Sequence, residues 1–439
     1  MSETTAEAKR VAAVRALIGE IAGKLDLDAF VRLWDGSRVP LGANATSSLE
    51  IVIRDPGVVA STLRSPSLDT IIRHYVDKRI DLDGGSLIDL GRQINARGRS
   101  AKIRAGDVLA IARRLSPFLF APGVAPSAQG AFEGDIVGNR RAGDDNKDYI
   151  QFHYDLSNDF YALFLDPEMV YTCAYFHDWS EDIAKAQVNK LDMVCRKLRL
   201  KPGERFLDIG SGWGGLVCHA AKTYGVKAHG ITLSEEQLGF AREKVKRLGL
   251  EGQVTFELVD YINAKGSYDK IASVGMYEAI GLKNIPAYMN KMRSLLADDG
   301  LFLNHAISRK AKRQKRRFFP ERLRPEQKAL AKYIFPGGAL DDIGHTVAAM
   351  ELAGFEVQDV EGWRMHYART CTIWCERLTA RKDEAIRLVG EAKYRIYVAY
   401  LSGCAIAFER GTARLFQTLC SKHPKRPPPL PPTRADLYR

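Results

Sequence analysis

Apolar and polar residues follow two rhythms along this chain. Over residues 6–25, Val11, Val14, Leu17, Ile18, Ile21 and Leu25 recur at helical spacing, which predicts an amphipathic helix. Over 30–53 the apolar runs shorten, with turns at Asp35-Gly36 and Gly42-Ala43-Asn44. Residues 49–53, stopped by Asp55-Pro56-Gly57, predict a strand. A helical run follows to Tyr75, then a turn-rich stretch over 80–85. Later the pattern changes to alternation. A helix over 183–200 leads to a buried strand at 206–209; further strands are predicted over 227–233, 254–259, 270–274, 300–306 and 355–360. Helices over 234–248, 285–296 and 344–353 lie among them. This rhythm predicts an α/β fold, a doubly wound, mostly parallel Rossmann-like sheet. Residues 381–420 read as helix throughout.

Four regions follow. Residues 1–120 form a small N-terminal α+β domain, read as a dimer or lipid contact. Residues 121–148, rich in Gly, Pro, Ala, Ser and Asp, read as a linker. Residues 149–420 carry the large sheet. Residues 421–439, rich in proline, are expected to be disordered or polyproline-like.

The chemistry centres on residues 206–215, Phe-Leu-Asp-Ile-Gly-Ser-Gly-Trp-Gly-Gly. A short strand ends in a glycine turn and opens a helix, whose first N–H groups point at the turn. Gly210 and Gly212 let a ligand lie against bare backbone. Gly215 completes a dinucleotide-type spacing, so a pyrophosphate is admissible on spacing alone. The next strand, however, ends Ile231-Thr232-Leu233-Ser234, without the carboxylate that a dinucleotide ribose needs.

Composition narrows the setting. The chain has 439 residues, 46% hydrophobic and 27% charged, as in globular proteins. No run approaches the roughly 18–20 apolar residues of a membrane span. The first ten residues are polar, so no signal peptide is expected and the protein is placed in the cytoplasm. Seven irregularly spaced cysteines suit reduced thiols and form no metal pattern. A net charge of +12 favours an anionic partner. Residues 309–317, Arg-Lys-Ala-Lys-Arg-Gln-Lys-Arg-Arg before Phe318 and Phe319, read either as a solvated loop or as a contact to an anionic membrane. Nucleic acid competes on charge but has no recognisable module here.

Ligands of an open α/β sheet bind outside the carboxyl ends of its strands. Those ends carry Gly210, Thr232, Asp260, Tyr261, Tyr277, Glu278 and His305. An aromatic-dense segment over 149–179, with polar residues interleaved, suits either core or pocket wall.

From about residue 153 to 416 the chain resembles the cyclopropane-fatty-acyl-phospholipid synthases and the related mycolic acid cyclopropane synthases. The matching motifs are His153-Tyr154-Asp155-Leu156-Ser157, Tyr171-Thr172-Cys173-Ala174-Tyr175-Phe176, Leu207-Asp208-Ile209-Gly210-Ser211-Gly212-Trp213-Gly214, Ser273-Val274-Gly275-Met276-Tyr277-Glu278 and His366-Tyr367-Ala368-Arg369-Thr370. The resemblance implies an S-adenosylmethionine (SAM)-dependent methyltransferase. It implies that Gly210, Gly212, Tyr171 and Thr172 take the amino-acid end of SAM. Gln237 would lie at the ribose, Tyr261 beside the adenine with Asp260 next to it, and Thr232 is a further cofactor contact.

It further implies methyl transfer to the cis double bond of an unsaturated phospholipid acyl chain, then ring closure with bound bicarbonate as base. The anion would be held by Glu278, His305 and Tyr367, with backbone around Cys173 and Ile307. A carboxylate beside an anion requires a shared proton or a charge offset by His305. Tyr154, Tyr367 and other aromatics would face the cation. Relatives commonly have His after the glutamate; this chain has Ala279. Two alternatives therefore stand beside ring formation: a C-methyltransferase giving methyl-branched or methylated unsaturated chains, and a non-catalytic lipid-binding protein. The expected setting is the inner face of an anionic phospholipid membrane, bound peripherally, with a homodimer allowed.

Overall fold

The computed structural model describes residues 3–96, 115–118, 121–125, 130–131, 156–311, 325–334, 338–422 and 430–438. Strands are β1 (Phe30–Arg32), β2 (Arg38–Pro40), β3 (Glu50–Ile53), β4 (Ile80–Asp83), β5 (Arg205–Ile209), β6 (Lys227–Thr232), β7 (Val254–Leu258), β8 (Tyr268–Val274), β9 (Leu296–Arg309), β10 (Phe355–Gly362) and β11 (Ala413–Lys422). They form a four-stranded sheet, β2-β1-β3-β4, and a seven-stranded sheet, β10-β11-β9-β8-β5-β6-β7.

In the large sheet β9, β8, β5, β6 and β7 are parallel, and β11 and β10 close one side antiparallel. Strands covered on both faces read as near-continuous apolar runs, and alternate residues go to opposite faces. Phe206, Ala228, Ala272 and Leu303 join the core under the helices Ile183–Leu198 and Gly215–Tyr224. Leu207, Ile231, Ile271 and Phe302 join the core under Ile285–Leu295 and Ile343–Leu352. The α/β reading from the sequence holds.

Several expectations change. The predicted helix over 381–420 is a helix only over Lys382–Glu409, with a break at Gly390 (φ 76°, ψ 160°). It is followed by β11, which inserts between β9 and β10. Arg410-Gly411-Thr412 is the stop, with Gly411 at φ 68°. Residues 80–83, read as turn, pair with β3. The tail is not uniformly disordered: Ser421 and Lys422 end β11, Leu430 packs on the core and Leu437 is buried. The Arg196 guanidinium donates to the Leu437 carbonyl (3.3 Å).

The chain divides into two compact units, and the division is not a single cut at 121–148. The first holds residues 1–131 together with 322–333 and 389–406. Polar anchors explain the returns. Asp69 accepts from the Tyr333 hydroxyl (2.8 Å) and Lys332 (3.0 Å). Buried Arg395 donates to the carbonyls of Tyr75 (2.7 Å) and Ile80 (3.2 Å) and to Asp81 (2.9 Å). Of the expected linker, Ala121 belongs to this unit's core, and most of the remainder lies outside the described residues. The second unit carries the large sheet. Among the described residues no helix is long and apolar enough to cross a membrane.

Candidate active site

The carboxyl end of β5 opens into a cleft. Gly210 (φ 76°) and Gly212 (φ 53°) take the left-handed backbone that only glycine adopts readily. The N–H groups of Gly210 and Ser211 donate to the Ile231 carbonyl (3.0 and 2.9 Å), which pins the turn to β6. A Cβ at Gly212 would project into open space, whereas one at Gly210 would meet Met276 at 3.1 Å. The turn therefore leaves bare backbone facing the cleft.

All eight residues expected at the cofactor line this one cleft: Tyr171, Thr172, Gly210, Gly212, Thr232, Gln237, Asp260 and Tyr261. Thr232 donates its hydroxyl to Gln237 Oε1 (2.9 Å), leaving the amide NH2 as the group that remains to donate. Asp260 accepts from the Ile262 N–H (3.0 Å), and Tyr261 meets Tyr288 edge-on at 5.2 Å.

Lys190 in the cleft floor, and Gln187 one turn before it on the same helix, escaped the sequence reading. Lys190, 2% exposed, donates to Thr172 Oγ1 (2.9 Å). Burial pulls its pKa down to about 8, opposed by the charges of Asp166, Cys173 and Asp208. Asp208 is pushed up to about 7 by burial, with Lys190 opposing, and its Oδ1 has no partner. Gln187 donates to the carbonyls of Val170 (3.2 Å) and Thr172 (2.8 Å). The signal was present: Gln187 and Lys190 interrupt the buried stripe of their helix, and both are buried.

Glu278 lies beyond β8 in a short 3-10 turn, next to Ala279, which lines the cleft. Its Oε1 accepts from the Ile307 N–H, and its buried Oε2 has no partner. Burial raises its pKa to about 7; the Ile307 bond acts in the other direction. The Ile307 N–H, expected with the backbone around it beside a bound anion, donates to Glu278 in this structure.

His305, on β9, is 1% exposed. Its Nδ1 lies 3.0 Å from the Gln417 amide nitrogen on β11. With that amide donating, the neutral ring carries its proton on Nε2, which has no partner. Burial, with Lys190 and Lys197 adding to it, holds His305 well below the usual histidine range. Without a bound ligand the ring is therefore held neutral at pH 7. Its ring meets Trp363 edge-on at 5.6 Å.

Glu278 and Ile307 are in direct contact, and His305 sits two residues earlier on β9. The remaining expected residues lie around Trp363. Cys173 is fully buried, its thiol donating to the Ala174 carbonyl (3.1 Å), with the Trp363 carbonyl at 3.9 Å. Burial pushes that thiol well up, so it is no nucleophile. Tyr367 begins the next helical turn, stacks on Phe408 at 4.6 Å and meets Trp374 edge-on at 6.1 Å. Tyr154 lies outside the described residues. Of the aromatic-dense segment, Phe160, Tyr161 and Phe164 are buried core that packs around Tyr171. No group of side chains among the described residues forms a metal cluster.

The profile of the mycolic acid cyclopropane synthetase family matches residues 142–418. A probable fatty acid methyltransferase of Pseudomonas putida is 36% identical over 94% of this chain and 97% of its own length. Among solved structures, the cyclopropane synthase MmaA2 of Mycobacterium tuberculosis superimposes with a TM-score of 0.60 at 33% identity, covering 63% of this chain and 98% of that one. The mycolic acid cyclopropane synthase CmaA1, solved with SAH and CTAB, gives 0.58 at 32% identity, over 63% and 98%. The expected resemblance is confirmed: the chain belongs to the mycolic acid cyclopropane synthetase family of SAM-dependent methyltransferases.

Proposed function

We propose that this protein transfers the methyl carbon of SAM to the cis double bond of an unsaturated phospholipid acyl chain and closes a cyclopropane ring. The observation that carries this reading is the Glu278 carboxyl. It is buried next to the cleft wall, held at one oxygen by Ile307 and without a partner at the other. A carboxyl poised near pH 7 in a dry site can take or share a proton at neutral pH.

The cleft fits SAM on its own features: open space at Gly212, the unpartnered Asp208 oxygen, and Gln237 fixed by Thr232. SAM, when bound, supplies an electrophilic methyl on a sulfonium. Tyr171, Thr172, Gly210 and Gly212 would hold its amino-acid end, Gln237 its ribose, and Asp260 and Tyr261 its adenine. Lys190 fixes the Thr172 hydroxyl from below. Lys190→Met therefore weakens S-adenosylhomocysteine binding by about tenfold, the loss of one charge-assisted hydrogen bond. Titration calorimetry reads this directly, and unchanged affinity would remove Lys190 from the account.

The residues around Glu278 also fit bicarbonate. The His305 Nε2–H is a buried donor without a partner, and Glu278 Oε2 is a buried oxygen without one. With His305 neutral, the compatible arrangement is a proton shared with Glu278 rather than a compensating imidazolium. Bicarbonate would supply a small base there. Tyr367 and Trp363 contribute aromatic surface, which favours a developing cation and excludes water.

A second reading stops before ring closure and leaves a methyl-branched or methylated unsaturated chain. Ala279 on the cleft wall favours it, as does the name of the Pseudomonas putida relative. Expression in a host lacking such enzymes, followed by lipid mass spectrometry, separates the two. A ring removes the double bond without a branch; a methylated alkene keeps it.

The enzyme reaches its substrate as a peripheral protein on the cytoplasmic face of an anionic membrane, drawn there by its net charge of +12. Binding to vesicles containing anionic phospholipid should therefore fall steeply as salt is raised. Equal binding to neutral vesicles would contradict the electrostatic account.

A further inference from the structure

Glu278 reaches Ile307 only if two separate stretches of chain are held together: the turn after β8 and the end of β9. One short segment, residues 339–346, grips both. The Ala339 N–H donates to the Glu278 carbonyl (3.1 Å). The Asp341 carbonyl accepts from the Arg309 N–H (2.8 Å), and Ser308 forms an isolated parallel bridge with Asp341.

The Asp341 side chain, 3% exposed, completes the grip. Its Oδ2 accepts from the Tyr277 hydroxyl (3.1 Å), the Thr346 hydroxyl (3.1 Å) and His345 Nδ1 (2.8 Å); its Oδ1 accepts from the Asp342 N–H (2.8 Å). Tyr277 precedes Glu278, and Ser308 follows Ile307. Asp342 adds an ion pair to Arg309 (3.0 Å). A buried carboxylate with four donors is held in one orientation, and the adjoining chain is held with it.

We propose that Asp341 is a positioning residue for Glu278: its carboxylate fixes the Tyr277 side and its backbone fixes the Ser308–Arg309 side of the Glu278–Ile307 hydrogen bond. The inference rests on the reading of Glu278 given above. The Ile307 N–H favours the ionised form of Glu278. Loosening that bond moves the limb of the kcat–pH profile set by Glu278 to higher pH. A merely structural role would lower stability without moving this limb.

The test uses the full chain carrying Asp341→Asn. The expected result is a fall in kcat of about tenfold, the Glu278 limb displaced to higher pH, and S-adenosylhomocysteine affinity within about twofold of the parent. Tyr277→Phe removes only the hydroxyl joining Asp341 to the Glu278 turn. It should move the limb the same way by less, and it decides the matter if the Asn variant does not fold. An unmoved limb in the variants that fold overturns the proposal, as does a loss of S-adenosylhomocysteine affinity equal to the loss in kcat. If Glu278→Gln itself keeps both turnover and the limb, the reading of Glu278 fails instead. If Glu278→Gln loses both while the Asp341 and Tyr277 variants leave the limb in place, only the clamp is wrong.

Discussion

Glu278→Gln lowers turnover by about 10²–10⁴-fold, the usual range for a lost general acid–base group, while S-adenosylhomocysteine affinity changes by less than about twofold. The amide still accepts the Ile307 N–H at the position of Oε1, so local packing survives. What is lost is an oxygen that can take or share a proton. The residues expected at the cofactor lie ahead of the helix Ile183–Leu198 and at or after the ends of β5, β6 and β7, on stretches of chain other than the turn that carries Glu278. Single-turnover kinetics beside calorimetry checks the separation. Equal losses in rate and affinity would mean that Glu278 builds the cofactor cleft rather than serving the chemistry.

The same substitution should stabilise the protein, and the gain depends on pH. Burial holds the Glu278 pKa at about 7 in the folded state, above its ordinary value. Between about pH 4.5 and 7 the unfolded chain has released this proton while the folded chain retains it, so stability falls as pH rises through that window. Above about pH 7 the loss is complete. Glutamine has no proton to lose. The melting temperature of Glu278→Gln should thus match the parent near pH 4 and exceed it at pH 8, by the equivalent of a few kcal/mol at order of magnitude. A constant difference across pH would show that the carboxyl is solvated. A higher melting point with lower turnover is the trade expected of a strained reactive group.

Local patterns made much of this legible. The glycine turn and the alternating strands and helices could be read because each depends on a few neighbours in sequence; the eight residues that line the cleft were named by the family resemblance, not by local pattern. The last strand could not be read this way. Residues 413–422 continue a long helical stretch with few β-branched side chains, and only Gly411 marks the break. Missing that strand hid Gln417, whose amide meets His305 across the β9–β11 pairing. Lys190 was hidden differently, as a charged residue on the buried face of a helix, where its purpose appears only with Thr172 opposite. Asp341 acts on Tyr277 from 64 positions away in sequence, and nothing local announces it. The charge state of His305 is likewise a property of burial. Nothing in the local sequence shows that burial and two lysines hold it neutral in the ligand-free protein.

The most direct measurement gives the purified enzyme vesicles of a cis-monounsaturated phospholipid and SAM carrying a fully deuterated methyl group. Ring closure removes a hydrogen from the transferred carbon, so the product acyl chain should carry two of the donor's three deuterons and no double bond. A product that retains all three, with an alkene or a branch, would contradict ring closure at this site.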